Sequence, residues 1–252
     1  MNERWSEAQG GIGPRAHSLE ISSPGGTVRI SGTTLGEGPA AMFLHGWGGA
    51  SADMMPIATA FARAGWRSVV FDMPGHGRSP GRESSLVQFL RAMAAVASAV
   101  GQPDVVVGHS FGGAAAVFGI TELGLSARGA VLLSPAPGPA YYVDSFARTV
   151  GLSAERRVGM VRHLVERVGR SMESLDAIAA ARSATVPALI IHDPGDRQVP
   201  FEFAERLTSG WRDGRLVPAP SLGHKRILRD PDVAAMAVDF ARLLSAPELS
   251  MR

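Results

Sequence analysis

The chain has 252 residues, a formal net charge of +2, 45% hydrophobic and 19% charged residues, and no cysteine. That length can bury the core of one large α/β domain, and the near-neutral balance lacks the basic excess of a nucleic-acid-binding surface. Disulfides, thiolate metal sites and a cysteine nucleophile are excluded, and no apolar run approaches the roughly 18 residues of a membrane span.

Lys225 is the only lysine, so nearly all the positive charge is arginine. The first twenty residues hold no apolar stretch of the kind a signal peptide needs, which makes the cytoplasm the expected location. Residues 1 to about 15 read as a polar, Gly-rich arm. Leu19-Glu20-Ile21 and Thr27-Val28-Arg29-Ile30-Ser31 alternate around Gly25-Gly26, which predicts an antiparallel hairpin. Gly36-Glu37-Gly38-Pro39 breaks the chain before the buried strand Ala41-Met42-Phe43-Leu44, which ends in the loop His45-Gly46-Trp47-Gly48-Gly49. Ile57, Phe61 and Ala64 have helical spacing, and Gly65 stops that helix. Trp66 to Phe71 is the next strand, closed by Asp72-Met73-Pro74-Gly75-His76-Gly77-Arg78-Ser79. Leu86, Phe89, Leu90, Met93, Val96 and Val100 recur every three or four residues and predict an amphipathic helix.

Val105-Val106-Val107 then runs into Gly108-His109-Ser110-Phe111-Gly112-Gly113, followed by helix-permissive alanines. A strand, a Gly-x-Ser-x-Gly turn and a helix in that order expose a serine hydroxyl on a sharp, strained turn. The glycines two residues either side remove side chains that would collide there, and the helix N-terminus points free N–H groups at the reacting centre. Ser110 therefore reads as a nucleophile. Ala130-Val131-Leu132-Leu133 is the sixth strand. About fifty residues then precede the next buried strand, too many for a plain connection. Their helical patterns, Val158, Val161, Leu164, Val165 and Val168 among them, predict a small helical cap over residues 137–185, leaving 1–136 and 186–252 as the core. Pro187-Ala188-Leu189-Ile190-Ile191-His192 resumes the sheet, and Leu216-Val217 forms the last short strand. Asp230-Pro231-Asp232 starts the final helix with an N-cap acid and a proline in the first turn. The last seven or so residues read as frayed. Alternation of strands and helices implies an α/β fold with a mostly parallel sheet covered on both faces, its chemistry at the carboxyl ends of the strands.

A serine hydroxyl needs a base within hydrogen-bond reach. Of the seven histidines, His224 stands on the loop between the last strand and the closing helix, where a chain order of Ser, acid, His places the base. His45 and His76 sit in Gly-rich loops and read as structural, and His109 is expected to point away from the serine. The acid belongs on the loop after Ile191, where Asp193 and Asp196 compete; Asp196 lies further out and is preferred, with Asp193 expected to hold the loop. The oxyanion donors expected are the backbone N–H groups of Phe111 and Trp47.

The His-Gly-Trp-Gly-Gly loop, Asp-Met-Pro-Gly-His-Gly-Arg-Ser, Gly-His-Ser-Phe-Gly-Gly, Asp-x-x-Val-Pro at Asp196 and Gly-His at His224 together resemble the α/β-hydrolase fold family, in its serine esterase-like branch with a helical cap. The resemblance spans roughly Thr27 to Leu244 and implies a Ser110-Asp196-His224 triad. It departs from the usual pattern at His192-Asp193-Pro194, where relatives more often carry His-Gly, and this keeps Asp193 in contention. Dehalogenase- and epoxide-hydrolase-like branches use aspartate as nucleophile, and the serine argues against both. The resemblance implies a small-molecule ester-like substrate and no metal or organic cofactor. It leaves open carbon–carbon bond cleavage on the same triad, or a slow-turnover ligand receptor. Tyr141, Tyr142 and Phe146 of the cap, with Met54, are the candidate substrate-binding residues, or else packing of cap on core. Arg148, Arg156, Arg157, Arg162, Arg167 and Arg170 read as a solvated helix face rather than a site for an acidic substrate.

Overall fold

The central strands are apolar along their whole length because successive side chains point to opposite faces and both faces are covered. In the computed structural model, which describes residues 15–23 and 26–245, eight strands form one sheet in the order β1-β2-β4-β3-β5-β6-β7-β8. They are β1 (Arg15–Ser23), β2 (Gly26–Leu35), β3 (Ala40–Leu44), β4 (Arg67–Phe71), β5 (Val105–His109), β6 (Gly129–Leu133), β7 (Ala188–His192) and β8 (Gly214–Pro218). β1, β2 and β4 pair antiparallel, and from β4 through β3 to β8 every pairing is parallel. The expected hairpin is β1–β2. Its turn at residues 24–25, the N-terminal arm at 1–14 and the C-terminal end at 246–252 lie outside the described residues.

Val106, Met42, Leu132 and Ile190 face one side of the sheet, against α2 (Leu86–Val100), α3 (Phe111–Thr121), α6 (Ala177–Ala181) and α7 (Phe201–Gly210). Val105, Val107, Phe43, Leu133 and Ile191 face the other, against α1 (Ser51–Arg63) and α9 (Pro231–Ser245). Helix α3 is buried from Phe111 through Gly119, which accounts for its lack of a polar stripe. Asp230 caps α9 by accepting the N–H groups of Asp232 and Val233, as the sequence predicts, and Ser85 caps α2 by accepting the Gln88 N–H. Helix α7 was not anticipated. It buries only Ala204 and Leu207 fully, too short a stripe to announce a helix.

Between β6 and β7 the chain forms α4 (Pro139–Thr149), α5 (Ala154–Val168), a single 3-10 turn (Glu173–Leu175) and α6. These helices attach differently. Helix α6 buries Ala177, Ile178 and Ala181 in the layer of α2, α3 and α7, and is the crossover helix from β6 to β7. Helix α5 has no fully buried residue. Ion pairs hold its region to the rest: Arg157 to Asp144 on α4, Arg167 to Glu83, and Arg170 to Glu122 at the end of α3. Exposed pairs of this kind contribute little each.

Candidate active site

Ser110 joins β5 to α3 with φ 54 and ψ −119, a region that side-chain-bearing residues avoid. The turn survives because its neighbours lack side chains. A methyl at Gly108 would overlap the Gly112 carbonyl, and one at Gly112 would overlap the carbonyls of Leu44 and His45. Hydrogen bonds fix the turn from both sides: Ser110 N–H donates to the Leu133 carbonyl at 3.0 Å, and the Ser110 carbonyl accepts from Gly113 and Ala136 at 2.9 and 3.0 Å. Phe111 opens α3, so its N–H has no partner within the helix.

The loop after β3 lies against this serine, and a methyl on Gly46 would come within 3.0 Å of Ser110 Cβ. It is a turn closed by Gly49 N–H on the Gly46 carbonyl at 3.1 Å, with Gly48 at φ 68. His45 and His76 bond to backbone, as expected of structural histidines. His45 Nδ1 donates to the Gly46 carbonyl at 2.8 Å while Nε2 accepts Met73 N–H at 3.0 Å. Burial, foremost, lowers the His45 pKa and favours the neutral ring this arrangement needs. His76 Nε2 accepts Gly48 N–H at 3.1 Å.

After β7 the two competing aspartates separate by contact. Asp196 Oδ2 meets His224 Nδ1 at 2.7 Å, and its Oδ1 accepts the N–H groups of Gln198 and Val199 at 2.8 and 3.1 Å. Burial alone would raise this carboxyl, but hydrogen bonds from His192, His224, Gln198 and Val199 outweigh it and hold the pKa well below the ordinary carboxylate range. Asp193 instead accepts the N–H groups of Gly195 and Gly223, tying the loop after β7 to the loop after β8.

Residues 41–237, most of the chain, match the alpha/beta hydrolase family. The chain belongs to that family. It is 26% identical over 252 residues, covering 84% of this chain and 94% of the relative, to the candidate carbamate hydrolase RutD of Variovorax paradoxus strain S110. Its fold is similar to Rv0554 from Mycobacterium tuberculosis, with TM-score 0.71 and 20% identity over 89% of this chain and 98% of the other. It is also similar to the esterase EaEST from Exiguobacterium antarcticum, with TM-score 0.68 and 18% identity over 88% and 98% of the two chains.

In this alpha/beta hydrolase Ser110, His224, His109, Trp47 and Tyr142 open on one cavity of about 280 Å³. Among the described residues the Ser110 hydroxyl bonds to the Tyr142 hydroxyl of α4 at 3.1 Å, rather than to His224. The remaining aromatic candidates are not gathered there. Tyr141 turns its hydroxyl to the Gln198 carbonyl at 2.5 Å and its ring to Phe203, lining a neighbouring groove. Phe146 is 54% exposed on α4 and lies outside the cavity lining. Met54 is fully buried under α1 with Ile57 and Phe61, because its helical position faces the sheet.

His109, expected to point away from the serine, bonds elsewhere: its Nε2 donates to the His224 carbonyl at 2.8 Å, and its ring lines the cavity 4.7 Å from the His224 ring. Burial, and then the proximity of His224, pushes its pKa down to about 3, so it is a neutral donor. His192 was also missed: its Nε2 donates to the Val199 carbonyl at 2.9 Å and lies 3.3 Å from Asp196 Oδ2. Its position four residues before Asp196 was the available clue. No cluster of His, Cys, Asp and Glu among the described residues could hold a metal ion.

Proposed function

We propose that this protein is a serine esterase, a carboxylic-ester hydrolase that works through an acyl-enzyme on Ser110. The observation that carries the reading is the 2.7 Å contact of His224 Nδ1 with Asp196, in a cavity shared with a serine on a strained strand-to-helix turn. The hydroxyl turns from Tyr142 to His224 Nε2 as substrate enters, and gives up its proton there as Oγ bonds to the carbonyl carbon. Asp196 holds the imidazole in the tautomer that accepts at Nε2 and stabilises the imidazolium without taking the proton. The N–H groups of Trp47 and Phe111 stabilise the oxyanion. His224 then returns the proton to the departing alkoxide, and a water molecule, deprotonated by the same ring, releases the acid. Tyr142 of α4, which lines the cavity beside Ser110, limits the acyl size. The relative described as a candidate carbamate hydrolase supports a carbamate as a second acyl group for the same steps.

A serine-directed phosphonate tests this directly. Its mass is expected on the peptide carrying Ser110, with Ser110→Ala unlabelled and inactive on short-chain nitrophenyl esters. Labelling elsewhere, or none in a preparation that turns over ester, removes the reading.

A further inference from the structure

The cavity that holds Ser110 is uneven in charge. One wall is the segment directly after the proposed base, where Lys225, Arg226 and Arg229 line it beside Leu228. Among the described residues the acid in the lining is Asp53, next to Gly49, and its Oδ2 is committed to the Ala50 N–H at 3.0 Å. Arg226 Nε and Nη2 donate to the carbonyls of Leu222 and Ser221 at 3.0 and 2.7 Å, so its guanidinium is tied to its own segment and also borders the neighbouring groove that Ser221 lines. Lys225 and Arg229 form no ion pair with a described residue. The arginines of the inserted helices behave differently. Arg157, Arg167 and Arg170 are each paired with a carboxylate, and none of them lines the cavity.

Three cations within five residues of a helical run, at i,i+3 and i,i+4 spacing, repel one another. Lys225 and Arg229 are both exposed. A bound anion would relieve that repulsion. We infer that the site takes small acyl substrates that carry a carboxylate, held by Lys225, Arg226 and Arg229 while the ester carbonyl meets Ser110. The inference rests on the esterase reading above and specifies its substrate class. Lys225 and Arg229 line the same cavity as Ser110 and His224, so one small molecule can meet both the cations and the serine. The volume of about 280 Å³ stands at the small end of ligand pockets, roughly 300–1,000 Å³, and favours a short chain.

The test compares monoethyl succinate with its uncharged isostere, ethyl 4-methylpentanoate, by acid release. Wild type is expected to show kcat/KM at least about tenfold higher for the anionic ester. That ratio should shrink as salt is raised. It should fall toward one in the Lys225→Met, Arg229→Gln double variant, with phosphonate labelling of Ser110 reporting that the variant is folded. A wild-type ratio at or below one overturns the inference and leaves the esterase reading standing. So does a ratio unmoved in a double variant whose Ser110 still labels. Failure to turn over either ester, with Ser110 unlabelled, overturns both.

Discussion

Asp193 and Asp196 are three residues apart on one loop, yet their carboxylates do different work because one faces backbone and the other faces imidazole. Replacing Asp196 by Asn keeps the shape but favours the wrong tautomer of His224. In a serine protease triad that change costs roughly 10⁴ in turnover, about 5 kcal/mol at 1.36 kcal/mol per tenfold. The structure adds a second consequence. Asp196 Oδ2 lies against ring nitrogens of both His192 and His224, so an amide N–H₂ placed there faces a donor, and Asp196→Asn is expected to lose stability as well. Asp193→Asn loses part of a hold on Gly195 and Gly223, roughly 1–3 kcal/mol of stability, with modest loss of turnover. Steady-state rates and thermal unfolding of the two variants check this. A dead Asp193→Asn beside an active Asp196→Asn would reverse the assignment. Both aspartates could be nominated from the sequence, but which of them meets His224 and which meets the Gly223 N–H is set by a loop about thirty residues away, out of reach of local pattern.

At the scale of elements, α3 comes close enough to β3 for Ser110 to lie against the 45–49 loop. Gly112 is where that approach is tightest, its Cα hydrogens facing the carbonyls of Leu44 and His45. Gly112→Ala is therefore expected to push α3 back, costing about 1–3 kcal/mol of stability by overpacking. It should also slow phosphonate capture by Ser110, because the turn shifts with the helix. Gly159→Ala is the matched control: it lies on the exposed face of α5 with nothing near its Cβ, and should stabilise by up to about 1 kcal/mol through helix propensity. Thermal unfolding and labelling rates on the two variants test the contrast; equal behaviour would mean the approach of α3 is not tight. The glycine spacing at the elbow was legible as sequence. The docking of α4 was not, since Tyr141 and Tyr142 fit a helix face anywhere and only the fold brings their hydroxyls to the Gln198 carbonyl and to Ser110.

For the whole molecule, the lowered pKa values of His109 and Asp196 make stability fall toward acid pH. His109 titrates near 6.5 in the unfolded chain and at about 3 in the fold, so between those values the unfolded state binds a proton that the native state refuses. Stability then falls as pH drops through that window, by up to about 1.4 kcal/mol per unit from this residue. Asp196 acts lower on the scale: its depressed pKa contributes stability above the ordinary carboxylate value of about 3.9, lost as pH falls below it. Denaturant unfolding at a series of pH values should show a shallower decline for His109→Gln than for wild type between about pH 6.5 and 4. Parallel slopes would mean that His109 is not held neutral. The sequence by itself determined the parallel sheet, the strained serine turn and the loops that carry His45, Asp196 and His224, because each is written as a local repeat, a glycine spacing or a chain order. Only the tertiary structure decided that Tyr142 meets Ser110, that His109 holds the backbone of His224 from 115 residues away, that Phe146 and Met54 leave the cavity, and that cations form its wall. Local preference acts over a few residues, whereas what surrounds a nucleophile depends on which distant segments converge at the carboxyl ends of the strands.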